Sequence, residues 1–465
     1  MTRFAIFGVV LALSAGTANA QTSPPPEPTP WRLGQALSVP DGVRVSGSVR
    51  GRYEALHNPF VAGRTEDDEF LGLQSLLDVE VDVGATGLTL GGELLDSRFI
   101  AGNQTGGAAT EIDTLEPSQL YLAWRPHDFL INGAKLDMML GRFTMDVGSR
   151  RLVARASYRS VLQSFDGVRA VWTSLDKLAV TLAYTAPVTR EPVDAASSID
   201  NEVVLNETQN KVRFAVAQVD SPLPFGLHGD AYVYDLDESD SADFPTRNRQ
   251  LTTTGLRLRK PPATDAFDFE IDLANQTGSQ RATTSPTDVT PLSHNAQLAH
   301  LEAGYSFSTP WSPRVALQYD YATGDQSPTD TKSGRFDPLF GDRTFDLGPT
   351  SIYGLIARTN FSAPALRIEV KPDANSDAYL VLRQIKLESA QDSFANSNVR
   401  DATGASGKDI GLFVDARYRH WLVKDALRLS VGASALFQGD FMKRAPNATG
   451  LGNPVYGFTE LTWTF

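Results

Sequence analysis

Cysteine is absent from all 465 residues. Disulfides therefore have no part in holding the fold, although a secreted soluble chain of this size would often carry them. No run after residue 20 reads as a spanning helix, which needs about 20 apolar residues. A membrane form of this chain would therefore have to cross as a closed barrel, the other structure that satisfies its backbone in lipid. A barrel also needs no disulfides, because closure pairs every strand. Basic residues are outnumbered, with 42 Lys and Arg against 55 Asp and Glu and a net charge of −13. That acidic balance argues against nucleic acid as a partner. It leaves anionic ligands open, because a pore is governed by its lining and not by its total charge. There is no P-loop, no GxSxG and no plug-like N-terminal domain, which disfavours an energised gated receptor.

The N-terminus carries Arg3, an apolar run from Phe4 to Leu13 and Ala18-Asn19-Ala20. This is the pattern of a secretory signal with an A-x-A cleavage site. Its apolar run is too short for a membrane anchor. Cleavage leaves Gln21 first, and loss of Arg3 takes the charge from −13 to −14. Pro24-Pro25-Pro26-Glu27-Pro28 follows and reads as an extended periplasmic leader. The expected division is signal at 1–20, Pro-rich leader at 21–42 and barrel at 43–465.

From residue 43 the chain reads as strands of about ten residues with a period of two. Val43, Val45, Gly47, Val49, Gly51 and Tyr53 share one face, and Arg44, Ser46, Ser48, Arg50 and Arg52 the other. Leu77, Val79, Val81 and Val83 oppose Asp78, Glu80 and Asp82. Phe267, Phe269, Ile271 and Leu273 oppose Asp268, Glu270 and Asp272. Ile410, Leu412, Val414, Ala416 and Tyr418 oppose Asp415, Arg417 and Arg419. Leu427 to Phe437 alternates against Arg428, Ser430 and Ser434. A soluble sandwich also alternates, so three further features decide. The apolar faces end in aromatics (Tyr53, Tyr184, Tyr319, Tyr321, Tyr418, Trp463), as interfacial girdles do. Connections alternate short and long. The chain ends on a strand with Leu461, Trp463 and Phe465 in phase, which resembles the assembly signal of outer-membrane barrels.

Short turns place at 84–87, 174–177, 221–224, 261–264, 309–313, 372–377 and 423–425. Long outer loops place at about 56–69, 100–115, 144–165, 187–210, 236–249, 276–297, 324–350, 388–409 and 440–456. Local pattern yields nineteen candidate strands, whereas a bacterial single-chain barrel with both ends in the periplasm needs an even number. Segment 352–361 has no short turn fitting its direction and joins the long segment after Tyr321. Eighteen strands and nine outer loops remain. Flipping the first strand would put Arg44, Arg50 and Arg52 in lipid at about 2–4 kcal/mol each. The charged faces therefore belong to the lumen.

The inward cations so assigned are Arg44, Arg50, Arg52, Arg257, Arg259, Arg367, Lys371, Arg417, Arg419 and Arg428. The inward acids are Asp78, Glu80, Asp82, Asp268, Glu270, Asp272, Glu369 and Asp415. Such charges pair for structure in any polar barrel. The preference for arginine has a second meaning, because its rigid fork grips carboxylates and phosphates bidentately. A string of moderate sites lets an anion pass where one tight site would stop it. The densest basic stretch is Gly141 to Ala170, with Arg142, Arg150, Arg151, Arg155, Arg159 and Arg169 against Asp146 and Asp166 alone. It leaves a strand, runs through a long loop and re-enters a strand. Two readings fit: a loop folded into the lumen as an anion-lined constriction, or a rim that binds lipopolysaccharide phosphates.

Gly141-Arg142, Gly148-Ser149-Arg150-Arg151-Leu152-Val153 and Gln163-Ser164-Phe165-Asp166-Gly167-Val168-Arg169 resemble the alginate export family of outer-membrane barrels. Glu93 to Arg98 supports the resemblance, as do Gly324-Asp325 and Phe336-Asp337-Pro338-Leu339-Phe340. It implies an eighteen-stranded barrel whose narrow, Arg-lined conduit passes an anionic polysaccharide outward without hydrolysis. By that analogy Arg142, Arg150, Arg151, Arg155, Arg169 and Asp166 form the constriction, and Arg50, Arg52, Arg417 and Arg419 continue it. Expected partners are outer-membrane lipid and lipopolysaccharide, the polysaccharide itself and periplasmic export components, around a monomer. A general porin for uptake of small anionic nutrients is the alternative.

Catalysis has little to work with. Of the six histidines only His300, beside Glu302, falls in a lumen phase, where a satisfied interior histidine is the expectation. Glu66-Asp67-Asp68-Glu69 and the acids of 235–243 lack regular Ca²⁺-ligand spacing and read as solvated loop tips. No catalytic residue, metal or cofactor is expected.

Overall fold

The computed structural model describes residues 30–103, 110–126, 128–241 and 244–465. The expected signal and the Pro-rich run lie outside the described residues, as do His127 and part of the 235–243 acidic cluster. Eighteen long strands form the wall. They are β1 (Val43–His57), β2 (Asp68–Asp82), β3 (Leu88–Gly102), β4 (Asp113–Trp124), β5 (Lys135–Thr144) and β6 (Ser164–Thr173). They continue with β7 (Ala179–Thr189), β8 (Val212–Leu223), β9 (Leu227–Glu238), β10 (Gln250–Lys260), β11 (Ala266–Gln280) and β12 (Leu292–Ser306). The last six are β13 (Arg314–Ala322), β14 (Phe361–Asp373), β15 (Ser376–Lys386), β16 (Asp409–Val423), β17 (Leu427–Gln438) and β18 (Val455–Thr464).

Each strand pairs antiparallel with the next, and β1 pairs with β18 from Ser48↔Thr464 to His57↔Val455. The sheet closes on itself and has no free edge. Among the described residues no helix is long and apolar enough to cross a membrane. At the short-turn end the backbones of Gly47 and Phe465 exchange two hydrogen bonds of 2.9 Å. Trp31 stacks on Trp463 and Phe465 there, and Arg32 donates to the Thr464 and Asp425 carbonyls. The segment from Trp31 is thus docked on the last strand, with one helical turn at Leu33–Ala36.

The faces fall as the alternation requires. Leu77, Val79 and Val81 of β2 are 36–40 % exposed on the outer wall, and Phe267, Ile271 and Leu273 of β11 are 38–73 % exposed. Asp268, Asp272 and Asp415 are buried inside. Tyr53, Tyr184 and Tyr319 lie outside toward the long-loop end, and Tyr418 and Trp463 toward the other, giving two aromatic belts. Ile410 departs from its expected lipid-facing place and is fully buried. It lies where the β15–β16 register shifts, between Ile385 and Lys386. The turn between β4 and β5, about 125–134, is a further short connection that local pattern did not mark.

The nine outer loops are L1 (58–67), L2 (103–112), L3 (145–163), L4 (190–211), L5 (239–249), L6 (281–291), L7 (323–360), L8 (387–408) and L9 (439–454). Segment 352–361 lies in L7 up to Phe361, which opens β14. Exclusion of that segment from the strands is what makes the count even.

Candidate functional site

L3 and L7 fold into the barrel. L3 buries Met145, Val147, Leu152, Val153, Ala154, Val161 and Leu162. L7 buries Phe336, Leu347, Ile352, Tyr353, Leu355, Ile356 and Ala357. An apolar run in an outer loop is out of reach of lipid and must bury against protein; here it fills the lumen. The two loops pair side by side. Ala154 N donates to Phe340 O and Phe340 N to Leu152 O, both at 3.0 Å, and Asp342 N donates to Arg150 O at 2.9 Å. Phe340 packs edge-on against Phe165 and Phe214 of the wall at 5.3 and 4.9 Å. Tyr353 stacks on Tyr456 at 5.0 Å.

Charge holds this plug in place. Arg151 of L3 pairs with Glu270 and with Asp272 of β11, and also with Asp346 of L7, the latter two at 3.0 Å. Arg358 takes the other oxygen of Asp346, and Arg257 binds Glu270 from the wall at 2.9 Å. Arg383 of β15 pairs with Asp320 and donates to the Asp346 carbonyl at 2.9 Å. His300 bonds the same Asp320 at 2.7 Å, so the interior histidine is satisfied. His300, Asp320 and Asp346 are close enough to share an ion. Three arginines already neutralise both carboxylates, which makes the group an ion-pair network and a poor cation site.

The expected constriction residues separate into four groups. Arg150 stacks over Phe345 of L7 at 4.8 Å, and Arg151 is the hub just described. Arg155 ties L3 to the wall through Glu93 and, at 2.7 Å, the Thr144 hydroxyl. Arg50 donates to the L3 carbonyls of Ser157 and Arg159 at 3.0 and 2.8 Å. Arg52 pairs with Glu460 and stacks on Tyr158 of L3 at 4.2 Å. These five are inside the barrel and anchor the plug. Arg169 is inside as well, with Met139 Sδ at 3.8 Å and no ion pair among the described residues.

Arg142 and Asp166 are placed differently from expectation. They are cross-strand partners, and in β5 and β6 they share phase with Leu140 and Val168, whose neighbours Leu182 and Tyr184 are more than half exposed on the outer wall. Their adjacent residues Phe143 and Phe165 point inward and are fully buried. Arg142 grips Asp166 at 3.0 and 3.1 Å and Glu116 at 2.5 Å. L4 lies over the group, with Asn206 N on Glu116 at 2.9 Å and the Thr208 hydroxyl on Asp166. The pair therefore clasps L4 to the outside of the wall and does not line the lumen. Gly141 and Gly167 face each other beside it. A Cβ on either would come within 2.4 Å of a neighbouring strand's carbonyl oxygen, at backbone φ of +127° and +154°, so glycine is required there.

Arg417 and Arg419 sit at the short-turn mouth. A vestibule of about 470 Å³ there is lined by Arg314, Lys371, Arg417 and Arg419, with Glu369 and Asp377 as its acids. Arg419 grips Asp377 at 2.9 Å and Arg417 approaches the same oxygen at 3.5 Å. Arg367 and Arg417 stack on the Tyr379 ring at 4.5 and 4.7 Å. Sequence reading missed Arg314 and Arg383, although both stand in lumen phase on their strands. It also missed Arg190, Arg343 and Arg358, which lie in loops where no periodicity reports direction.

A closed barrel with an apolar outer face, two aromatic belts and a charged, loop-filled lumen is an outer-membrane channel. The profile of the alginate export family matches residues 42–453, and the chain belongs to that family. No curated protein matches the sequence significantly. Among solved structures the barrel is similar to OccAB1 of Acinetobacter baumannii, with a TM-score of 0.60 and 11% identity over 91% of this chain and 97% of that one. It is similar to OccK11 (OpdR) of Pseudomonas aeruginosa, with a TM-score of 0.55 and 13% identity over 91% and 96%. OccK2 (OpdF) of P. aeruginosa, in complex with glucuronate, gives 0.53 and 12% over 90% and 98%. At such identities the likeness is one of fold.

Proposed function

We propose that this channel is anion-selective and passes an acidic polysaccharide or oligosaccharide from the periplasm outward, with no chemical step. The vestibule carries this reading. Four cations and two acids line the periplasmic mouth, in a chain whose total charge is negative. Lys371 has no ion-pair partner among the described residues, and Arg417 shares its one carboxylate with Arg419. Arg314 is taken up by Asp268, Glu302 and Glu369, so an entering polyanion meets Lys371 and the forked donors of Arg417 and Arg419, a set of moderate sites. Further in, the inward-folded L3 and L7 fill much of the lumen. Family membership supports export. Outer-membrane lipid and lipopolysaccharide surround the barrel in this reading, periplasmic export components feed it, and a single chain suffices.

Uptake of small anionic nutrients is the second reading. It is favoured by the likeness to Occ porins, one of them solved with glucuronate.

Planar-bilayer conductance decides. The export reading expects anion selectivity and current block by polyuronate added on the periplasmic side. Arg417→Glu and Arg419→Glu should each weaken that block several-fold. Cation selectivity, or indifference to polyuronate, would rule the reading out. Steady current of monomeric uronate without polymer block would favour uptake.

A further inference from the structure

Most lumen arginines are matched by carboxylates, as Arg314 is by Asp268, Glu302 and Glu369. One partly open pocket among the loops departs from that rule. Where L3, L4, L7 and L8 meet, a space of about 160 Å³ is lined by Arg159, Arg190, Arg343 and Arg358, together with Gln163 and Asn396. Among the described residues no Asp or Glu lines it. Of the four arginines only Arg358 has an ion pair among the described residues, to Asp346. Arg190 is steadied by the Leu162 carbonyl at 3.3 Å and the Gln163 side chain at 3.2 Å. Arg343 donates to the Ile356 carbonyl at 2.9 Å. The Arg159 side chain has no hydrogen-bond or ion-pair partner among the described residues.

The acids that act on these arginines, Asp342 on Arg343 and Asp113 and Glu111 on Arg190, lie outside the lining and are bonded to other groups. Asp342 accepts from Thr344 N at 2.9 Å, Glu111 from Ser160 N at 3.3 Å and Asp113 from the Asn206 side chain at 2.8 Å. Burial, with Arg159 and Arg358 beside it, pushes the Arg343 guanidinium down to about 9. Burial and Arg159 push Arg190 down to about 10. Both remain charged at neutral pH, and both gain from an added negative charge. Like charges drawn from three separate loops are held together here without a counter-charge in the lining.

We propose that this cavity binds a small oxyanion with at least two negative charges, of the phosphate or dicarboxylate class, which ties L3, L4 and L7 together and holds the plug closed. The forked donors of arginine fit such an anion bidentately. The space exceeds by far the ~10–15 Å³ that one water needs. It is below the roughly 300–1,000 Å³ of sites for larger organic ligands, so it suits a small ion and not a chain of sugar rings. Three arginines without a carboxylate call for more than one negative charge. When the anion leaves, mutual repulsion favours separation of the loops, which makes the site a ligand-dependent latch on the channel. The latch stands independently of the polymer reading.

The test is calorimetric titration of the detergent-purified, heat-modifiable barrel with inorganic phosphate and, separately, succinate. Chloride at matched ionic strength and glucuronate, a single-charge carboxylate, serve as controls. Saturable binding of about one phosphate per chain is expected, weakened at least tenfold by Arg159→Gln and by Arg343→Gln. Protease cleavage within L7 should slow as phosphate saturates. Phosphate heats no larger than those of chloride, affinity unchanged by both substitutions, or glucuronate binding as tightly as phosphate would each overturn the site. Retained heat-modifiable migration of the variants separates loss of binding from loss of fold. Polyuronate block on the same preparations reads the conduit and not this cavity.

Discussion

Arg151 shows how one side chain secures a loop of this size. It is almost fully buried and faces three carboxylates, Glu270, Asp272 and Asp346, from the wall and from L7. Desolvating a guanidinium is costly, and only close, well-bonded partners offset the cost. Removing it leaves those acids buried with less compensation. Arg151→Ala is therefore expected to destabilise the plug by about 3–5 kcal/mol. The barrel itself, built from strand pairing, should still form. Larger single-channel conductance and faster proteolysis in 323–360 are the readouts; unchanged conductance would refute the anchoring role.

At the scale of elements, the outer loops take two routes. L3 and L7 turn inward because their apolar residues have no other surface to cover. L4 begins inside at Arg190, but its later part at Asn206 and Thr208 lies outside, on the group that Arg142 forms with Glu116 and Asp166. This distinction makes a prediction that runs against the family-based expectation. Arg142→Ala should leave anion selectivity unchanged, because the residue is outside the lumen. It should loosen L4, because Glu116 and Asp166 then face each other without a cation. Proteolysis within 190–211 measures the second effect, and reversal potentials in a salt gradient measure the first. A change in selectivity would put Arg142 back in the conduit.

For the whole molecule, the membrane sets the polarity of the outward residues between the two aromatic belts. Leu77 is 40 % exposed on the outer wall, next to Asp78 on the inner phase. Leu77→Arg should cost about 2–4 kcal/mol if the position lies near the bilayer midplane. That is a large share of the 5–15 kcal/mol by which folded proteins are typically stable. Urea unfolding in lipid vesicles, followed by heat-modifiable gel migration, would detect it. A neutral result would mean that this face does not meet lipid.

Alternation determined which face of each strand is inside, and the aromatic ends of the apolar faces, the short and long connections and the aromatic final strand turned that pattern into a barrel with two belts. A strand has only two faces and lipid accepts only one kind of side chain, so local pattern is enough. Parity then removed 352–361 from the wall, and the structure places that segment within the plug up to Phe361, which opens β14. The loops were not legible in the same way. Gly141 to Ala170 announced itself as basic, yet only tertiary structure showed that Arg151 and Arg155 turn inward while Arg142 and Asp166 turn out. Near a strand end, one residue of phase reverses direction, and bulges and loop packing decide that phase. The acid-free cavity is a tertiary product outright. Arg159, Arg190, Arg343 and Arg358 come from three loops far apart in the chain, and only closure of the barrel brings their charges together.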